Sequence, residues 1–269
     1  SVRRPDGAWE SFRGKQGLPY EDLTCIAVDK QDRLWIGTSM GVIQYRPYEE
    51  GRKWFYREGL RYIPDDKVNG IAVSPDGKTV YVATSAGIGT IVVKTTTLLE
   101  RAQTIEKLVN ERHRRLGLVA ECELDNADNP TSHMIGDNDN DGLWTAYHVA
   151  AMSLCYGATK DEAAKASAKE SMHAIYMLQN ASGIPGLVAR SVLPPEEGAK
   201  KQRQWKPTPD GKMYWKFDTS SDEIDGHFLA FYAYYQHVAQ YDPEEKKLCQ
   251  EQCKKLIDEA IIIAHAFFV

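Results

Sequence analysis

The pattern of apolar and polar positions changes character once along the chain. Up to about residue 94 the apolar stretches are short and rich in β-branched residues, as in "LTCIAV", "LWIGT", "GVIQY" and "TVYVAT". Runs of that length, separated by Asp, Gly and Pro, predict strands joined by tight turns. From residue 95 the period becomes helical, with Leu98, Ala102, Ile105 and Val109 on one face of "TTTLLERAQTIEKLVNERHRR". Four further helices are predicted over roughly 142–157, 161–180, 221–241 and 243–268. The helices at 142 and 221 are apolar or aromatic almost all round, whereas those at 161 and 243 carry Lys and Glu on one face. A buried helix followed by a surface helix, twice over, predicts α-hairpins in inner and outer layers, as in an α/α toroid. A bundle or a stacked solenoid gives similar alternation.

The strand-rich part repeats itself. Trp9 aligns with Trp54, Pro19 with Pro64, and Ile26-Ala27-Val28 with Ile71-Ala72-Val73, all at a spacing of 45. After a one-residue insertion the register is 46, matching Trp35 to Tyr81, Thr38-Ser39 to Thr84-Ser85 and Gly41 to Gly87. A period near 45 with about four short strands is the signature of a β-propeller blade. The segment "LPYEDLTCIAVDKQDRLWIGTSMGVIQY" resembles the two-component regulator propeller repeat. That resemblance implies architecture and little chemistry, since propellers serve as platforms, enzymes and spacers alike. The expected fold class is α+β multidomain: two propeller-like blades over 1–94, then an α/α toroid-like helical domain over 95–269. Two blades do not close a ring, and a full six-hairpin toroid needs about twice this length. The expectation is therefore a longer protein, or other chains that complete both parts.

Composition narrows the function classes. The chain has 269 residues, 42% of them apolar, and a net charge of −5. The densest basic runs, "ERHRR" and "KKQR", are balanced by nearby acids, which argues against nucleic acid as a partner. No apolar run reaches 18 residues, so no membrane span is expected. Five cysteines fit neither an even disulfide framework nor a zinc pattern.

The chemistry concentrates at two helix starts. "DNDNDGLWTAYH" places Asp137, Asp139 and Asp141 ahead of one apolar helix, and "DTSSDEIDGHFLAFY" places Asp218, Asp222, Glu223 and Asp225 ahead of another. If successive inner helices run parallel, both clusters emerge on one rim. Helix N-termini favour carboxylates, and Ser220 with Glu223 reads as a capping box. Capping accounts for one acid per helix, not for three or four. Paired carboxyl groups across a sugar are what glycoside cleavage requires, with one protonated and one ionised. On that reading Asp141, Asp222 and Glu223 are catalytic candidates, with His227 as proton relay or base. Trp144, Trp205, Tyr214 and Trp215 offer flat surfaces for sugar rings, and Arg190 can pair with a uronate or sulfate, beside Asp218.

"DTSSDEIDGH" after "YWKF", together with "DNDNDGLWT", resembles the helical domain of proteins in which regulator-propeller repeats precede an α/α domain. The likeness implies architecture, without an activity to transfer. More distantly, Asp218-Thr219-Ser220 is similar to a segment of unsaturated glucuronyl hydrolases, which are also α/α toroids. A metal reading stands beside these. Asp137, Asp139, Asp141 and Gly142 copy the first six positions of an EF-hand loop, with His148 where the bidentate glutamate belongs. A Ca²⁺ site would then be completed from elsewhere, and no organic cofactor is expected. The leading expectation is an extracytoplasmic carbohydrate-active protein, a hydrolase or lyase on acidic glycans. The alternative is a non-catalytic extracellular scaffold within a larger assembly, calcium-stabilised or not.

Overall fold

The computed structural model describes every residue except 4, 5, 127, 128, 130, 137, 138, 202 and 269, and the backbone alone over 261–268. The chain is α+β and divides into two compact units, Ser1–Leu98 and Leu99–Val269.

In the first unit β1 (Val2–Arg3) and β2 (Trp9–Glu10) form a short antiparallel pair. Next come β3 (Leu23–Val28), β4 (Leu34–Thr38), β5 (Gly41–Tyr45) and β6 (Trp54–Arg57), paired in that order as a four-stranded antiparallel meander. A second meander has three strands, β7 (Val68–Val73), β8 (Thr79–Thr84) and β9 (Gly87–Val92). The sequence repeat is a structural repeat. Ile26 faces Ile36 in the first sheet, and its counterpart Ile71 faces Val82 in the second. Each first strand carries a register irregularity at the same point, between Leu23 and Cys25 and between Val68 and Gly70. Thr38 Oγ1 donates to the Gly41 carbonyl at 2.9 Å, and Thr84 Oγ1 donates to the Gly87 carbonyl at 2.9 Å. Trp35, Val42, Ile63, Val68, Val80 and Val82 form the core shared by the two sheets, as alternating β-branched strands dictate.

The second unit opens with α1 (Leu98–Arg112), followed by the hairpins β10 (Arg114–Arg115) with β11 (Leu118–Val119) and β12 (Cys122–Leu124) with β13 (His133–Ile135). Then α2 (Asp141–Thr159) and α3 (Glu162–Ala181) make a first α-hairpin. Its connection is set locally, because Lys160 adopts φ 59° after α2 and Asp161 caps α3 by accepting from the Ala163 amide at 2.9 Å. A small sheet of β14 (Val192–Leu193), β15 (Trp205–Pro207) and β16 (Tyr214–Lys216), with the short helix α4 (Pro195–Gly198), leads to α5 (Ser221–His237) and α6 (Pro243–Phe268). These two make the second α-hairpin.

The hairpins lie side by side in register. Gly142 of α2 abuts Glu223 of α5, and Gly157 abuts His237, so α2 and α5 run parallel. His173 of α3 bonds Glu245 of α6 at 3.2 Å and Gln179 donates to the Gln252 carbonyl at 3.0 Å, so α3 and α6 also run parallel. Val149, Ile175, Phe231, Tyr234 and Leu256 fill the space between the four helices. All five cysteines are free thiols. Among the described residues no helix is long and apolar enough to cross a membrane.

Candidate functional site

Because α2 and α5 are parallel, their acid-rich starts meet on one rim, and the segment between the hairpins binds them together. The Arg190 guanidinium donates through Nε to the Asp218 carbonyl and through Nη1 to the Asp139 carbonyl, with Asn140 Oδ1 at 3.5 Å. The Arg190 carbonyl accepts the Gly142 amide at 3.2 Å, satisfying one orphan donor at the start of α2. Lys216, next to it across the backbone pairing, holds the Asp139 carboxylate in an ion pair. One arginine and one lysine therefore gather the two acidic loops.

The acids respond in opposite ways. Lys216 foremost, and Arg190 behind it, hold the exposed Asp139 carboxyl below the usual range. Asp222 is also lowered, chiefly by the hydrogen bond its carboxylate accepts from Ser220 Oγ. Glu223, one residue on, is 0% exposed. Neither of its carboxyl oxygens completes a hydrogen bond among the described residues, although the Leu143 amide faces it. Burial pushes its pKa up to about 8 over the opposing pull of the Leu143 amide and Arg190, with a smaller upward push from the charges of Asp222 and Asp141. At neutral pH Glu223 holds a proton while Asp222 and Asp139 do not. Gly142 makes this approach possible, since a Cβ there would lie 2.1 Å from Glu223 Oε2.

Other expected residues are placed differently. Ser220 forms no side-chain cap on α5, and Glu223 turns into the interior, so the expected capping box is absent. His227 is fully buried. Its Nδ1 donates to the Glu223 carbonyl at 2.8 Å, the Ile175 carbonyl faces its other side, and burial lowers its pKa to about 4. It belongs to the core beneath the rim. Trp215 is 3% exposed and packs with Leu118, Leu178 and Val192, so it presents no face to a sugar. Trp205 is half-buried in β15 with Lys216 over its ring, and Tyr214 is half-buried beside it. Trp144, by contrast, is 42% exposed in the first turn of α2, and the exposed Tyr147 stacks against it, with centroids 6.5 Å apart. Tyr147 escaped the sequence reading, though its spacing from Trp144 places both on one helical face.

Of the expected calcium ligands, Asp137 lies outside the described residues, Asp139 is engaged by Lys216, and Asp141 is buried in α2. His148 points away from the rim, toward Glu106 at 2.9 Å and Ser171 at 3.0 Å, and so cannot close an EF-hand loop. Among the described residues no three His, Cys, Asp or Glu side chains form a metal-sized group. The Glu106, His148 and Ser171 chain looks like a nucleophile relay, but buried Ser171 already donates to the Gly117 carbonyl at 3.1 Å and accepts from Arg114. It fastens α1 to the first hairpin.

No curated protein matches the chain. The family model described as two component regulator propeller matches residues 17–40, the stretch that contains β3 and β4, so the first unit carries sequence similar to that repeat and a helical region follows it.

Proposed function

We propose that the rim where α2 and α5 begin is a carbohydrate-active site that cleaves acidic glycans by acid–base catalysis. The observation that carries this reading is the adjacent pair of carboxyl groups held in opposite protonation states, Glu223 protonated and Asp222 ionised. In hydrolysis, Glu223 gives its proton to the departing glycosidic oxygen as the C–O bond breaks. The attacking water passes its proton to Asp222. Arg190 pairs with a uronate or sulfate of the substrate, and Trp144 with Tyr147 forms the platform for a sugar ring. Since Glu223 is buried, substrate has to open the first turn of α5 for the proton to be delivered. The two parallel hairpins are, on this reading, part of an α/α toroid.

The test is turnover of a panel of uronate-containing oligosaccharides by the full chain. Glu223→Gln and Asp222→Asn should each lower turnover about 100- to 10,000-fold while leaving folding intact. Failure of the wild type to cleave or bind any member of the panel would remove the reading.

A second reading, a scaffold within a larger assembly, is favoured by a separate feature. Phe228, Tyr232, Tyr235, Cys253 and Ile257 line an apolar groove of about 460 Å³ between α5 and α6. Apolar grooves of that kind mark contact surfaces. The same glycan panel separates the readings, since a scaffold leaves every sugar intact.

A further inference from the structure

Among the described residues the outer edge of β9 has no strand partner, whereas in the first sheet the equivalent edge is covered. There, β6 covers β5 with Val42 opposite Arg57 and Tyr45 opposite Trp54. β9 is the repeat counterpart of β5 at an offset of 46, and among the described residues it pairs with β8 only. A Cβ on Gly41 would lie 2.5 Å from the Arg57 carbonyl oxygen at the end of β6, whereas its counterpart Gly87 has nothing within 4 Å. Among the described residues no strand takes the position beside β9 that β6 takes beside β5. Ile88, on that edge strand, is 71% exposed.

The sequence of such a strand is carried twice. "WFYR" (Trp54–Arg57) forms β6, and 45 residues earlier "WESF" (Trp9–Phe12) aligns with it. Among the described residues that earlier copy pairs as a strand over two residues, with β1, and Trp9 is 71% exposed.

We propose that Trp9–Phe12 of a second copy of this chain adds to β9 as its fourth strand. The register transfers from the first sheet: Trp9 opposite Ile91, Glu10 opposite Thr90, Ser11 opposite Gly89, Phe12 opposite Ile88. An open edge presents unpaired N–H and C=O groups that template another strand, with side chains setting specificity. Trp9 then covers Ile91 as Trp54 stacks on Tyr45, where the centroids are 4.1 Å apart. Phe12 packs on Tyr45 and Trp54 of its own sheet and need not leave them. Its counterpart Arg57 likewise pairs along β5 while laying its guanidinium over Trp35 at 5.3 Å. Reciprocal exchange closes a twofold dimer with two identical contacts.

Sedimentation velocity of the full chain should show a concentration-dependent dimer, weakened about tenfold or more by Trp9→Ala. Mixing Glu10→Cys chains with Thr90→Cys chains should give an intermolecular disulfide between positions 10 and 90, located by peptide mapping. Glu10→Cys mixed with Tyr81→Cys should give none. A monomer at every concentration, a dimer indifferent to Trp9→Ala, or absence of the 10–90 bridge would each overturn the proposal.

Discussion

Asp139, ahead of α2, and Glu223, in the first turn of α5, both come from acid-rich helix starts, yet they end in different states. Lys216 holds Asp139 ionised at the surface, while Glu223 is sealed against Gly142, completes no hydrogen bond among the described residues and keeps its proton at neutral pH. Helix-dipole stabilisation is available to both and amounts to about 0.3–1 kcal/mol. It cannot explain the contrast. Desolvation against a countercharge does, because taking a carboxylate out of water costs several kcal/mol unless a cation or donors replace the solvent. Asp139 has the cation and keeps its water, and Glu223 has lost most of both.

The contrast is sharpest in the pH dependence of stability. Glu223 has a folded pKa of about 8, above the ordinary 4.5, so its contribution is fully present below 4.5 and is lost as pH rises through 8. Within that window each pH unit removes about 1.4 kcal/mol of this group's contribution. Chemical denaturation of wild type and Glu223→Gln at pH 5, 7 and 9 checks this, because the variant should lose the slope. Next in size is Arg190→Met, which deletes the two backbone contacts joining the acidic loops and should cost about 2 kcal/mol of stability. It should also raise the carboxyl pKa values of Asp139 and Asp222, both of which Arg190 helps to lower, as NMR titration would show. The smallest effect belongs to Lys216→Met. Its partner Asp139 is solvent-exposed, so the loss should be below about 1 kcal/mol in thermal melts, with the Asp139 pKa returning toward its ordinary value.

Much of this was legible in the sequence. The Trp9/Trp54 and Gly41/Gly87 registers predicted the repeated sheets, and the two apolar-then-amphipathic helix pairs predicted the hairpins and the common rim. Glu223 was a candidate, but its state was not readable from the local acid pattern. The signal lay in helical phase: Glu223, Gly226, His227, Ala230 and Tyr234 share one buried face, whereas Asp222 and Asp225 stand off it. The same phase argument would have placed His227 in the core. The sequence offers Arg190 as a substrate contact, but its second role as the clamp between the loops depends on chain segments that only the fold brings together. Lys216 and Gly142 were hidden for the same reason. The burial of Trp215 was hidden because the loop-like sequence around it forms a small sheet whose inner side packs on α3.

The proton held by Glu223 beside ionised Asp222 is directly observable by infrared difference spectroscopy. Subtracting the Glu223→Gln spectrum from the wild type should leave a protonated-carboxyl band at pH 6 that disappears with a midpoint near pH 8. A band already lost by pH 5, or no such band at any pH, would show an ordinary ionised carboxylate and contradict both the electrostatic contrast and the acid–base role built on it.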